Sequence, residues 1–193
     1  MTRSGAEISP VESSEELAQA WKEYGFDPPG GVDAWAEAVE ADRNGVLVAR
    51  LSAMAVGFVT VKWSGPSVRE PEVTEALTTE FPDEQPIPTI YSLNVQQQHR
   101  RKGIGWDLMV ATEHAIIDRP GTVLRSALSV QTNNKDALPL YISLGYQIVP
   151  YRGRKMVVLD RPEYDEQGQL VRSTKPVFIM TKDLSDLRKN RVK

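Results

Sequence analysis

Positions 93–108 read L-N-V-Q-Q-Q-H-R-R-K-G-I-G-W-D-L. A strand-like run, Thr89 to Val95, ends in a polar turn. A helical pattern follows from Gly103 to Asp118, with Ile104, Leu108, Ala111, Ala115 and Ile116 on one stripe. Arg100, Arg101 and Lys102 therefore stand just ahead of a helix whose first N–H groups have no partner within the helix. The helix dipole adds partial positive charge at the same place. Gly103 and Gly105 carry no Cβ, so an anion can approach the main chain closely. Together these features suit a pyrophosphate. A Walker loop is ruled out because no Gly-Lys-Ser/Thr is present, and a dinucleotide fingerprint because Leu108 stands where its third glycine belongs. One basic triplet in an acidic chain argues against a nucleic-acid surface.

About thirty residues on, after a strand-like VLRSALSV (123–130), comes N-K-D-A-L-P-L-Y-I-S-L-G-Y, Asn134 to Tyr146. Paired at this separation, the two segments resemble the GNAT superfamily of acetyltransferases. Arg100, Gly103 and Gly105 match that family's Q/R-x-x-G-x-G/A turn, and Leu93-Asn94-Val95 its preceding L-x-V. Asn134, Ala137, Leu140, Tyr141, Gly145 and Tyr146 match its later motif, and the resemblance spans roughly residues 8–184. It implies acetyl-CoA as co-substrate and no metal. The cofactor residues it implies are Leu93, Asn94, Val95, Arg100, Arg101, Lys102, Gly103, Ile104, Gly105 and Asn134. The end of the 89–95 strand would pair with the pantetheine arm, and a donor such as the Val95 N–H would face the thioester oxyanion. Pro139 departs from the pattern; with Asp136 as N-cap it falls in the first helical turn, where it is tolerated.

Acyl transfer to an amine needs a held thioester, a neutral nucleophile and a proton for the leaving thiolate. Tyr141 is the expected general acid, although a phenol near pKa ~10 gives its proton uphill to a thiolate of a thiol near ~8.5. Outside such a motif, a tyrosine on an apolar helix packs in the core. A lysine-like amine is protonated at pH 7, and its neutral form costs about 4–5 kcal/mol. Many relatives place a Glu on the fourth strand as base. Here that strand offers Thr89, Tyr91, Ser92 and Asn94 and no carboxylate, so the base is unknown. Glu80, Asp83 and Glu84 in the adjoining loop read better as solvated surface. Two alternatives stay open: a non-catalytic acyl-CoA sensor, and an acyltransferase using a longer chain or an oxygen acceptor.

Helices are predicted over 13–24, with Ser13 or Ser14 as N-cap, and over 32–42. A hairpin of 46–52 and 55–63 follows. Residues 64–88 form a proline-rich excursion with a helical fragment near 72–80. After the strand, helix and strand already described come a short helix near 135–144 closed by Gly145, strands at 146–151 and 155–160, a turn at Glu166-Gln167-Gly168, a strand at 176–184 and a frayed basic tail, 185–193. The fold class is α/β of the mixed α+β kind. The expected architecture is a GNAT-like, mixed but largely antiparallel twisted sheet of about 6–8 strands flanked by about 4 helices, as one domain over 1–193.

Composition agrees with a globular chain: 193 residues, 40% hydrophobic and 25% charged. There is no cysteine, which removes disulfides and thiolate chemistry, and only two histidines, His99 and His114. Residues 1–90 carry a net −10 and residues 91–193 a net +7, which suits an anionic ligand on one side and a cationic acceptor on the other. Trp21, Trp35 and Trp63 either line an acceptor groove or fill the core. The start lacks an apolar signal region and no apolar run approaches 18 residues, so a cytoplasmic protein is expected, with no membrane partner and no nucleic acid. The acceptor is a small-molecule or protein amine, and a homodimer is left open.

Overall fold

The computed structural model describes residues 2–25, 37, 39, 44–68, 70–164 and 170–191. Ser13 is extended, and its hydroxyl accepts the Glu16 N–H, so strand β1 (Glu7–Pro10) gives way to helix α1 (Ser14–Tyr24). Gly25 closes that helix in the left-handed region, at φ 75°. β2 (Asn44–Leu51) and β3 (Met54–Lys62) form a hairpin whose two turn residues, Ser52 and Ala53, both have positive φ. Helix α2 (Pro71–Glu80), with proline in its first turn, lies within the proline-rich excursion. Then come β4 (Thr89–Val95), a 3₁₀ turn at Gln97–His99, α3 (Ile104–Asp118), β5 (Arg125–Gln131), α4 (Ala137–Ser143), β6 (Gln147–Val149), β7 (Val157–Tyr164), β8 (Leu170–Asp183) and α5 (Ser185–Arg191).

The strands make one eight-stranded sheet in the order β1-β2-β3-β4-β5-β8-β6, with β7 paired to β8. Every pairing is antiparallel except β4 with β5. Alternation along the strands splits the core in two. Leu47 and Ala49 of β2, with Leu128 and Val130 of β5, face α3 and α4, where Ile104, Leu108, Ile116 and Tyr141 are buried. Val46 and Val48 of β2 and Phe58 of β3 face α1 through Leu17 and Trp21. Ala127, Val177 and Ile179 face α2 through Val73, Ala76 and Leu77. Both faces are thus covered by helices, and β4 and β5 run down the middle of the sheet.

Several expectations need correction. β1 is too short to show a period and was not foreseen. The 185–193 tail is not frayed: α5 occupies most of it, with Leu184 fully buried before it and Leu187 against the core. β8 begins at Leu170 and not at Pro176; the proline sits inside the strand opposite Val158, and its carbonyl accepts the Thr132 N–H. The expected helix at 32–42 (apart from residues 37 and 39), Trp35 and the turn at 166–168 lie outside the described residues.

Phe58 is 1% exposed, and its ring lies edge-on between Trp21, at 6.4 Å, and Tyr24, at 5.0 Å. Phe58→Ala should cost about 3–5 kcal/mol of stability, read as a lower midpoint in urea denaturation; a change below about 1 kcal/mol would show that α1 contributes little to the core.

Candidate active site

A bulge shapes the site. Thr60 faces Tyr91 and Phe58 faces Asn94, so Val59 alone opposes both Ser92 and Leu93. Ser92 takes up the extra length with φ 51°, and its carbonyl accepts the Asn94 amide at 3.0 Å. A bulge increases local twist and turns a strand away from its neighbour. β4 accordingly pairs with β5 only at Thr89 with Ala127 and Ile90 with Leu128. Beyond Ile90 the two central strands part.

The opened edge of β4 is polar backbone. The Gln96 N–H donates to Val56, so strand alternation turns the Val95 N–H and C=O toward the gap, and those of Leu93 likewise. The Val95 carbonyl is taken by Arg100 Nε at 3.0 Å. A cavity of about 680 Å³ fills the gap between this edge, the start of α3 and α4. Leu93, Asn94, Val95, Arg100, Arg101, Gly103, Ile104, Gly105 and Asn134 all line it; of the expected cofactor residues only Lys102 does not.

The start of α3 is built as an anion receptor. Asp107 N–H bonds the Gly103 carbonyl, while the N–H groups of Gly103, Ile104, Gly105 and Trp106 have no hydrogen-bond acceptor among the described residues. Gly103 has φ 88° and Arg101 φ 60°, so the turn uses left-handed backbone twice. A Cβ on Gly103 would lie 3.4 Å from Arg3 Cβ, and one on Gly105 would lie 3.4 Å from Leu140 Cδ2. Arg101 stays exposed, 3.8 Å from Asp136. A second cavity of about 390 Å³ lies beside Arg125 and Lys182, but those cations are bound to Glu84 and Glu113.

Asp136 stands at the N-cap position of α4, as expected, but makes no side-chain cap bond. The Asn134 Oδ1 supplies the acceptor instead, taking the N–H groups of Asp136 and Ala137 at 3.3 and 3.0 Å. Pro139 falls in the first turn of α4, as foreseen. Tyr141 is 7% exposed and does not line the cavity; it packs behind Leu140, with its ring 6.0 Å from that of Tyr146. Its hydroxyl has no hydrogen-bond partner among the described residues, and burial pushes its pKa up to about 12. Tyr146, by contrast, shares a 2.8 Å hydrogen bond with Ser126.

Of the loop acids, Glu84 is tied to Arg125, and Glu80 and Asp83 are exposed. One carboxylate the sequence did not single out does reach β4: Glu70, 4% exposed, accepts the Tyr91 hydroxyl at 2.8 Å. Burial raises the Tyr91 pKa to about 12. Trp21 is core, and Trp63 is partly buried with Arg119 above its ring. Arg3, His99, Trp106, Pro139 and Leu140 also line the cavity. Arg3 carries no sequence signal, because only the fold brings it to residue 103.

The family model for the Acetyltransferase (GNAT) family matches residues 12–146. The chain belongs to the GNAT acetyltransferase family. Solved structures with the same fold include the ribosomal-protein-S18-alanine N-acetyltransferase of Escherichia coli, at 17% identity and TM-score 0.59 over 93% of this chain and 94% of that one. An N-acetyltransferase of Staphylococcus aureus has TM-score 0.62 at 13% identity, over 94% and 99%. NAA60 of Arabidopsis thaliana, in complex with a bisubstrate analogue, has TM-score 0.59 at 17% identity, over 92% and 98%. No curated protein matches the sequence. As a GNAT acetyltransferase the chain is an acyltransferase, and the fold uses acetyl-CoA as co-substrate. The uncommitted amides and arginines of the α3 mouth fit the phosphates of that group. Among the described residues, no group of three His, Asp or Glu side chains is placed to hold a metal, and no helix is long and apolar enough to cross a membrane.

The two glycines should respond differently. Gly103→Ala should destabilise by roughly 1–2 kcal/mol, because an L-residue resists left-handed backbone. Gly105→Ala should be neutral or slightly stabilising, since its Cβ meets only ordinary contacts and alanine favours the helix by up to ~1 kcal/mol. Urea melts of the pair check this; equal losses would contradict it.

Proposed function

We propose that the chain moves an acetyl group from acetyl-CoA to a primary amine by direct attack of the amine on the thioester. The observation that carries this reading is the set of uncommitted N–H groups from Gly103 to Trp106, opening on a cavity whose rim holds Arg100 and Arg101. When bound, acetyl-CoA supplies an acyl group activated as a thioester. The amides of α3 and the two arginines hold its phosphates. The freed edge of β4 lies along the pantetheine arm. Four strand residues at about 3.3 Å each lead from Val95 back to Tyr91, where the sheet parts. The N–H groups of Leu93 and Val95 point into that gap, as donors to the arm and to a carbonyl gaining negative charge.

The role of donor to the leaving sulfur is assigned to Tyr141 by the motif it shares with the family, and not by its position, which is outside the cavity lining. With its pKa at about 12 the phenol stays protonated through the neutral range. It acts as a hydrogen-bond donor to developing thiolate charge and not as an acid that gives its proton outright. Deprotonation of the amine has no comparable provision. β4 carries no carboxylate, and Tyr91 is a protonated phenol already donating to Glu70. This favours an acceptor that is neutral without help. An α-amine of pKa near 7.7–8.0 costs about 1 kcal/mol to present neutral at pH 7, against about 4–5 kcal/mol for a lysine amine. The E. coli structure of the same fold is named for an alanine of a ribosomal protein, which supports an α-amine of a peptide or small molecule. The net −10 of residues 1–90 favours a cationic one.

A second reading, an acyl-CoA sensor without transfer, draws on that same lack of a carboxylate and on the absence of Tyr141 from the cavity wall. Incubation with acetyl-CoA and a panel of amines, followed by thiol release, separates the two. The enzyme should favour α-amines over lysine-like amines by roughly 250- to 500-fold in kcat/KM at pH 7; saturable CoA binding with no thiol release from any amine would establish the sensor. The logarithm of kcat/KM should rise with unit slope to the acceptor pKa near 8 and then stay level to about pH 11, because Tyr141 does not ionise below that. A limb near pH 6 would reveal a dedicated base. Tyr141→Phe should lower kcat at least tenfold with little change in CoA affinity; an unchanged rate would make the tyrosine purely a packing residue.

A further inference from the structure

Residues 2–6 precede β1 and contain nothing in their pattern that announces a site. In the fold they form a short strap across the mouth of α3. Both oxygens of the Asp107 carboxylate are occupied by this strap: the Arg3 N–H reaches Oδ1 at 2.9 Å, the Ser4 N–H reaches Oδ2 at 2.9 Å, and the Ser4 hydroxyl reaches Oδ2 at 2.6 Å. Asp107 is 7% exposed, so these are charge-assisted bonds at a largely buried acceptor. Ala6, 2% exposed, anchors the far end of the strap in the core beneath α3.

This attachment fixes where Arg3 goes. Its side chain passes Gly103, and its guanidinium lies 3.9 Å from the centroid of the Trp106 ring, on the wall of the cavity. Arg100 uses its Nε on the Val95 carbonyl and Arg101 lies 3.8 Å from Asp136, so each offers an anion only part of its guanidinium. Among the described residues, no carboxylate or carbonyl accepts from the Arg3 guanidinium. A planar cation stacked on an indole loses little freedom on binding and keeps its N–H fork free for phosphate oxygens.

We propose that Arg3 is a ligand for a phosphate of the bound cofactor and that Asp107 is its positioning residue, holding the strap so that the guanidinium stands over the free amides. The inference rests on the acyl-CoA reading above and deepens it.

The test is CoA binding by calorimetry, with ligand-free melts as a control on folding. Arg3→Ala should leave the melt nearly unchanged and weaken CoA about tenfold. Arg3→Lys should recover only part of that loss, because it keeps the charge without the fork. Asp107→Asn should weaken CoA by a similar factor although Arg3 is intact, and the double variant should be no weaker than either single one. Titration with 3′-dephospho-CoA identifies the phosphate: a loss confined to intact CoA assigns Arg3 to the 3′-phosphate, and an equal loss for both assigns it to the pyrophosphate. Unchanged affinity of Arg3→Ala for both ligands would overturn the proposal while leaving the acyl-CoA reading intact, as would fully additive losses in the double variant. Failure of the unmodified protein to bind CoA would remove that reading itself.

Discussion

Everything at the site depends on a short-lived parallel pairing. β4 and β5 are hydrogen-bonded at two positions and then separate, because one extra residue in β4 has been absorbed at Ser92 in a left-handed conformation. Two consequences follow from that separation. A gap opens in the middle of a sheet that is otherwise continuous, between helices that cover it on both faces. The strand edge lining the gap keeps the N–H donors of Leu93 and Val95 unused, while the Val95 carbonyl accepts from Arg100 Nε. A sheet normally hides such groups, since an unpaired edge invites association; here the edge faces a cavity walled by the start of α3 and by α4. The bulge makes a binding groove out of what would have been a ladder.

The sequence exposed the parts of this arrangement that are local. R-R-K-G-I-G announces a helix start with free amides, and the spacing from Asn134 to Tyr146 announces the helix that walls the groove, because capping, glycine placement and helical period are written within a few residues. The hairpin, the strand before the glycine turn and the short helix in the proline-rich excursion were legible for the same reason. What escaped was non-local. Arg3 meets Trp106 only through the strap bound to Asp107, and Glu70 meets Tyr91 only because α2 packs on one face of the sheet. α5 escaped for another reason: its seven residues are nearly all polar, and it is Leu184 and Leu187 that hold it to the core. Asn134 was read as a cofactor contact, and its cap bonds to Asp136 and Ala137 show that the same side chain also starts α4.

Charge is distributed with economy. Arg125 and Lys182, away from the groove, are neutralised by Glu84 and Glu113, and the buried Glu113 carboxyl has its pKa raised because desolvation outweighs its lysine. At the groove the cations are only loosely matched: Arg101 has a single distant carboxylate and Arg3 an indole. An anion entering there meets charge that is not already spent on the protein. The phenols follow the opposite rule, since burial keeps Tyr91 and Tyr141 protonated through the neutral range.

β8 has a bearing on how such a molecule assembles. Its second half lies between β5 and β6, although β6 follows β5 in the chain with only α4 between them. β6 pairs with β8 alone, so both the edge of β5 and β6 are completed only when a segment some fifty residues beyond β5 is in place, and closing so long a loop is slow. During that interval β5 presents Ala127 to Val130 beside an open ladder, the kind of surface on which partly folded chains stick to one another. Ser126 and Lys182 face each other across the finished pair, where the last long-range ladder of the sheet covers that strand.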